Sequence, residues 1–260
     1  MKKMNKPLVV VSLFTIVLSL ILLSRDQIHE ALFNQGFDTY AEGIGLRLMV
    51  NIGLIIGALI LIKKFKLSNL AGIGNLKTKN WLLLIFPLYV VLINFMNLDE
   101  IQDSNGVNFA LFLVYVLSIG FSEELLLRGF LQSYLIKISK NTKRNTVFAV
   151  VGSAFIFGLL HLINFDKGIY GELTQVGFAT FLGVMFGGIL LRTNNMFGIA
   201  ILHALIDFAA KLDNVGIPMD FNKIVEEDSL INSVLIILII LPCFAYGLLL
   251  TKKAKLSPVQ

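Results

Sequence analysis

Long apolar runs separated by short polar segments make up almost the whole chain. A helix needs about 20 predominantly apolar residues to cross the hydrocarbon core. By that measure eight spans are predicted: 7 to 23, 44 to 62, 81 to 98, 108 to 136, 146 to 163, 173 to 191, 196 to 210 and 230 to 250. Strands do not compete, because the runs are long and show no sustained period-2 alternation. Two spans depart from the pattern. The run from Asn108 to Lys137 is about ten residues too long for one straight crossing, which predicts a tilt, a break or an interfacial stretch. The run from Met196 to Lys211 is short. The N-terminus, MKKMNK followed by PLVVVSLFTIVLSLILL, has the basic head and apolar body of a secretory signal. That run reaches 17 residues and leads into Ser24-Arg25 with no small-x-small cleavage site, so an uncleaved first span is expected.

Composition agrees with the pattern. Hydrophobic residues make up 56% of the 260 and charged residues only 15%, outside the range of soluble globular chains. The fold class expected is an all-α, polytopic integral membrane protein of about eight transmembrane helices, with no linker or repeat dividing it, so one structural domain. Lys and Arg number 22 against 17 Asp and Glu, a net charge of +5. That excess does not point to nucleic acid, because the basic residues sit in alternate flanks. Lys2, Lys3 and Lys6, then Lys63, Lys64, Lys66, Lys77 and Lys79, then Lys137, Lys140, Lys143 and Arg144, then Arg192, then Lys252, Lys253 and Lys255 share one side of an eight-span arrangement. That side is expected to be cytoplasmic, with both termini on it. The intervening loops hold Asp26, Glu30, Asp38, Glu42, Asp99, Glu100, Asp103, Asp166, Glu172, Asp213, Asp220, Glu226, Glu227 and Asp228. The single cysteine, Cys243, lies in the last apolar run and leaves no intramolecular disulfide or multi-cysteine zinc site. Cell-membrane location and a prokaryotic source are expected, with the lipid bilayer as one partner.

Charge at mid-bilayer costs roughly 2.5 to 3.5 kcal/mol per residue, so ionisable groups there face a cavity or a partner. One cluster stands out: Glu123, Glu124 and Arg128 in the fourth span, His161 in the fifth, His203 and Asp207 in the seventh. The remaining histidine, His29, falls in the polar first loop and is given no role. Glu124 and Arg128 are i, i+4 and can neutralise one another, while Glu123, about 100° around the helix, is free to point elsewhere. His203 and Asp207 repeat the spacing, as do Phe157 and His161. Taken singly, each feature is ordinary: a structural ion pair, a hydrogen-bonded core histidine, a packed ring. Together, an unpaired carboxylate, two histidines and a second carboxylate are what hydrolysis requires. Two histidines and carboxylates can equally bind a zinc ion that activates water, so one divalent metal and none both stay open.

The residues also carry a resemblance. EELLLR at 123 to 128, FGLLH at 157 to 161 and HALID at 203 to 207 resemble the EExxxR, FxxxH and HxxxN/D motifs of the CAAX-protease and bacteriocin-processing (Abi) family of intramembrane endopeptidases. The resemblance covers roughly 108 to 210, which divides the chain into generic spans at 1–107, a catalytic core at 108–210 and a last span with its tail at 211–260. It implies a helical fold with a polar intramembrane cavity open toward the cytoplasmic side, and a membrane-embedded peptide or protein as substrate. By motif position it implies Glu123 as general base acting with His161 on water, His203 and Asp207 on the oxyanion side, and Glu124 and Arg128 as orienting groups. Asp207 is a difficulty, since an asparagine amide donates to an oxyanion and an ionised aspartate repels it. It can be protonated, orient His203 or ligate a metal. The candidate metal set is Glu123, His161, His203 and Asp207.

Two other classes compete: a non-catalytic scaffold or bacteriocin self-immunity protein of the same family, and a proton-coupled carrier. The carrier ranks last, because no matching pair of broken spans suggests an inverted repeat. GVMFG at 183 to 187 is a GxxxG element that predicts close helix packing. One geometric conflict remains. His161 lies 17 residues past Arg144, Glu123 lies 14 before Lys137 and His203 lies 11 after Arg192. These depths disagree, so either the fifth span begins later than 146 behind an interfacial stretch or the boundaries are off by a turn or two.

Overall fold

The structure, a computed structural model, describes residues 6–74, 79–99, 105–139, 142–163, 168–219 and 228–254. Lys2, Lys3, Lys77, Lys140 and Lys255 of the basic flanks, and Glu100, Asp103, Asp166, Asp220, Glu226 and Glu227 of the acidic loops, lie outside the described residues. The described residues are helical with no strand: α1 Lys6–Phe33, α2 Tyr40–Lys64, α3 Leu88–Met96, α4 Gly106–Glu124, a π-helical segment Leu125–Gln132, α5 Ser133–Ile138, α6 Lys143–Leu160, α7 Gly168–Thr193, α8 Met196–Lys211 and α9 Leu230–Lys252. Side-chain oxygens start several of them. Thr39, Asn105, Thr142, Asn195 and Ser229 each accept a backbone N–H at the head of α2, α4, α6, α8 and α9. They satisfy donors that no helix can satisfy internally.

Among the described residues six helical stretches are long and apolar enough to cross a membrane, so the count of eight is not confirmed: 6–33, 40–64, 106–138, 143–163, 168–193 and 230–252. The predicted third span, 81 to 98, is broken into a 3-10 turn at Trp81–Leu84 and the nine-residue α3, with Pro87 between them. Proline lacks the N–H that would continue the first turn into the second. The seventh is the 16-residue α8. The first helix runs on past Ser24-Arg25 to Phe33, so His29 is a buried helical residue packed on Gly43, not a loop residue. Arg25 and Asp26 can stay helical because Asp26 pairs with Arg25 at 2.8 Å and with Arg47 of α2 at 3.0 Å. The overlong fourth span is one continuous helical run with the π segment inside it. Its 33 residues are about 50 Å long against a hydrocarbon core of about 30 Å.

The helix ends sort into two groups. Lys137 donates to the carbonyl oxygens of Phe65 and Lys66, Arg192 donates to the Lys253 carbonyl, and Asn80 donates to the Arg192 carbonyl. The basic flanks of α2, α5, α7 and α9 therefore meet at one end of the bundle. At the other end Arg47 reaches Asp26 and Met219, and Val215 packs with Tyr40 and Phe112. Apolar side chains on α1, α2 and α9 stay exposed, Leu13, Met49 and Ile231 among them, the pattern of a surface covered by lipid tails. Glycines set the closest crossings in the interior. A Cβ on Gly183 would stand 2.8 Å from both Ala154 of α6 and the Arg128 guanidinium, so the GxxxG element of α7 makes room for α6 and for the charged core together.

Candidate active site

The π segment follows directly on the two glutamates. A turn with i→i+5 bonding inside an α-helix is rare and concentrates at functional sites. Here it starts at Leu125, and Ser133 stabilises its far end by donating to the Arg128 carbonyl at 2.9 Å. Arg128, inside the segment, is among the largest fully buried side chains of the described protein. Its Nη1 donates to Glu124 Oε1 at 2.9 Å, as the i, i+4 spacing predicts. The ring of Phe157 lies 4.7 Å from its guanidinium carbon and that of Phe186 5.8 Å, so two aromatic faces offset its desolvation.

His203 enters from α8. Its Nδ1 donates to the same Glu124 Oε1 at 2.8 Å, and its Nε2 stands 3.5 Å from Glu123 Oε2. The imidazole is thus bracketed by both glutamates and lies nearly parallel to Phe186, 5.4 Å between ring centroids. Glu124 is completely buried, whereas the Glu123 side chain is 33% exposed. One carboxylate is locked into the core and its neighbour stays accessible, as the 100° turn between them requires. The α4–α8 crossing makes this contact possible. Gly120, one turn before Glu124, lies directly against the backbone of Ala200 and Ala204. From α2, Asn51 donates to Ser118 at 2.9 Å in the interior and holds α4 on its other side.

His161 sits at the C-terminal end of α6, opening the 3-10 turn His161–Ile163. Its Nδ1 donates to the Phe157 carbonyl at 3.0 Å, which leaves the lone pair on Nε2. Phe157 links the parts: its ring touches His161 edge-on at 4.8 Å, faces Arg128 and lies 6.4 Å from His203. Among the described residues no hydrogen bond joins His161 directly to Glu123. Asp207 does not hold His203, whose two ring nitrogens face the glutamates. It accepts from Lys211 Nζ at 2.7 Å.

For Glu124 and His203 the depth conflict disappears in the structure. The fifth helix begins at Lys143, with no interfacial stretch before it. The disagreement came from the long fourth helix, whose last turns run past the start of α8. A Cβ on Gly129 would meet the Met196 side chain at 3.3 Å, and Phe65 at the end of α2 packs on Phe130 and Tyr134. Counted from that level, Glu124 and His203 lie about 8 and 10 Å along their helices.

The candidate metal ligands do not form one donor set. Among the described residues no three His, Cys, Asp or Glu side chains converge to hold an ion. His203 Nδ1 is committed to Glu124, Asp207 Oδ1 to Lys211 and His161 Nδ1 to Phe157. Two residues escaped sequence reasoning. Phe186 lies inside the GxxxG element and reads as packing, and Lys211 looks like a helix-end flank. The i, i+4 rule that paired Glu124 with Arg128 would have paired Asp207 with Lys211.

Residues 105–209 match the family model described as type II CAAX prenyl endopeptidase Rce1-like. No curated protein and no solved structure matches the chain. The matched stretch runs from the Asn105 cap to two residues before the end of α8 and holds all three motifs in order. The stretch is similar to Rce1-like domains over less than half of the chain, consistent with the CAAX-protease and bacteriocin-processing family, and at that level the match supports a CAAX protease-like membrane enzyme.

Proposed function

We propose that this chain is an intramembrane endopeptidase that hydrolyses a peptide bond in a membrane-associated peptide or protein. The observation that carries the proposal is the imidazole of His203 held between a buried glutamate and an accessible one, with the buried one neutralised by Arg128. A structural ion pair alone needs neither the second glutamate nor the histidine.

Each residue then has a distinct task. Glu123, partly exposed in a site of low polarity, takes a proton from a water that it shares with Nε2 of His161. The hydroxide adds to the scissile carbonyl carbon and the carbonyl oxygen gains the charge. His203 donates to that oxygen from Nε2, its ring held by the bond from Nδ1 to Glu124. The carbon–nitrogen bond breaks, and the proton on Glu123 passes to the leaving amine. Arg128 holds Glu124 in place, and Phe157 and Phe186 hold the guanidinium and both imidazoles in register. We place the basic end of the bundle, and with it both termini, in the cytoplasm of a cell membrane.

The test compares membrane-peptide profiles from cells carrying the wild type and Glu123→Gln, a substitution that keeps size and removes the base. Fragments present with the wild type and missing with the variant support the proposal; identical profiles overturn it.

A further inference from the structure

Asp207 raises a problem that the endopeptidase reading leaves unsolved. A carboxylate one turn from His203 stands beside the group assigned to the oxyanion, where a negative charge opposes the charge that develops. Two of the escapes open to it fail on geometry. It does not orient His203, whose ring nitrogens face Glu124 at 2.8 Å and Glu123 at 3.5 Å. It is not held as a neutral donor either, because an ammonium 2.7 Å away favours its ionised form.

The third, ligating a metal, finds no converging donor set among the described residues, and the answer left is the ammonium itself. His203, Asp207 and Lys211 follow at i, i+4 and i+8, so they form one stripe along α8. Along that stripe the side chains become more exposed, from 8% at His203 to 14% at Asp207 and 42% at Lys211. The cation therefore stands toward the end of α8 while the carboxylate stays sheltered. The cluster holds three carboxylates, Glu123, Glu124 and Asp207, and Arg128 is already committed to Glu124. Among the described residues Lys211 makes the one ion pair to Asp207.

We propose, resting on the endopeptidase reading above, that Lys211 is a positioning residue of the site, neutralising Asp207 so that an aspartate is tolerated beside the oxyanion. Lys211 lies two residues beyond the stretch that matches the Rce1-like family model. A lysine in the last turn of a helix, paired with an aspartate one turn back, is also a common stabilising arrangement. The two roles differ in one respect: a helix-end pair has no reason to make Asp207 harmful once the lysine is gone.

The experiment uses the full chain purified in detergent, with the total membrane-protein fraction of cells lacking it as substrate. The readout is the rate at which Glu123-dependent fragments appear. Lys211→Met should slow turnover by about 100-fold, the effect of removing one oxyanion-stabilising group. Lys211→Arg should keep most of the rate. Adding Asp207→Asn, whose amide needs no counter-charge, to Lys211→Met should recover most of the lost rate. A Lys211→Met chain that cleaves like wild type overturns the proposal, and so does one whose loss Asp207→Asn does not rescue. In both cases a wild type that cleaves and a Glu123→Gln chain that does not leave the endopeptidase reading standing. If the wild type yields no Glu123-dependent fragment, that reading falls and takes this proposal with it.

Discussion

Replacing Gly120 by alanine puts a methyl group where α4 and α8 cross. The new carbon would lie 2.9 Å from the Ala204 nitrogen, 3.1 Å from its Cβ and closer still to the Ala200 carbonyl oxygen. Two of those three neighbours are helix backbone and cannot rotate away. Restoring ordinary van der Waals contact of about 3.5 to 4 Å requires the helices to part by about 1 Å. Glu124 is one turn from Gly120, so the displacement falls on its 2.8 Å bond to His203. That bond would lengthen past the limit at which a hydrogen bond exists. Overpacking costs about 1 to 3 kcal/mol and the lost charge-assisted bond about 1.5 to 3 more. An active-site displacement of about 1 Å lowers turnover on the order of 100-fold. Gly53→Ala is the matched control: nothing lies within 4 Å of its added carbon, and alanine in place of glycine in a helix gains about 0.5 to 1 kcal/mol. The assay is chemical unfolding in detergent followed by helical circular dichroism, beside the rate of Glu123-dependent cleavage. A Gly120→Ala chain as stable and as active as Gly53→Ala would refute the crossing and the role assigned to it.

Breaking the buried pair should destabilise strongly. Arg128→Met or Glu124→Gln alone should cost about 3 to 5 kcal/mol in the same unfolding assay, because each leaves a charge unpaired in the core, and the double variant should cost clearly less than the two combined. Additive losses would mean that the pair is not coupled. Orientation can be read by labelling single cysteines in a Cys243→Ala background. A cysteine at Lys66 should react with a membrane-impermeant maleimide only after the cells are opened, and one at Lys211, at the opposite end of the bundle, should react from outside. The reverse pattern would contradict the assignment of the basic end to the cytoplasm.

Much of the site was legible from i, i+4 spacing, because a helix makes that interval a shared face whatever surrounds it. Glu124 with Arg128 and the separate direction of Glu123 follow from it, and the same rule reaches Asp207 with Lys211. The spans were legible as apolar runs, but their ends depend on tertiary partners. Arg25 and Asp26 mark a loop in the sequence, yet Arg47 from another helix lets α1 continue through them. Pro87 breaks the 81 to 98 run, which run length alone does not reveal. The π segment leaves no trace in LLLRGFLQ, since the extra residue per turn is dictated by where Arg128 and Gln132 must reach against Gly183 and Gly187. Phe186 was hidden for a related reason: an aromatic ring beside two glycines reads as packing until the histidine that stacks on it arrives from α8.

The most direct test of the central claim is the rate of fragment production by purified wild type and Glu123→Gln from the same membrane-protein fraction, with both chains first shown to unfold at the same denaturant concentration. The account predicts cleavage by the wild type and a loss of about 100- to 10,000-fold in the variant, the range expected for removal of a general base. Equal rates from two equally stable chains would contradict it.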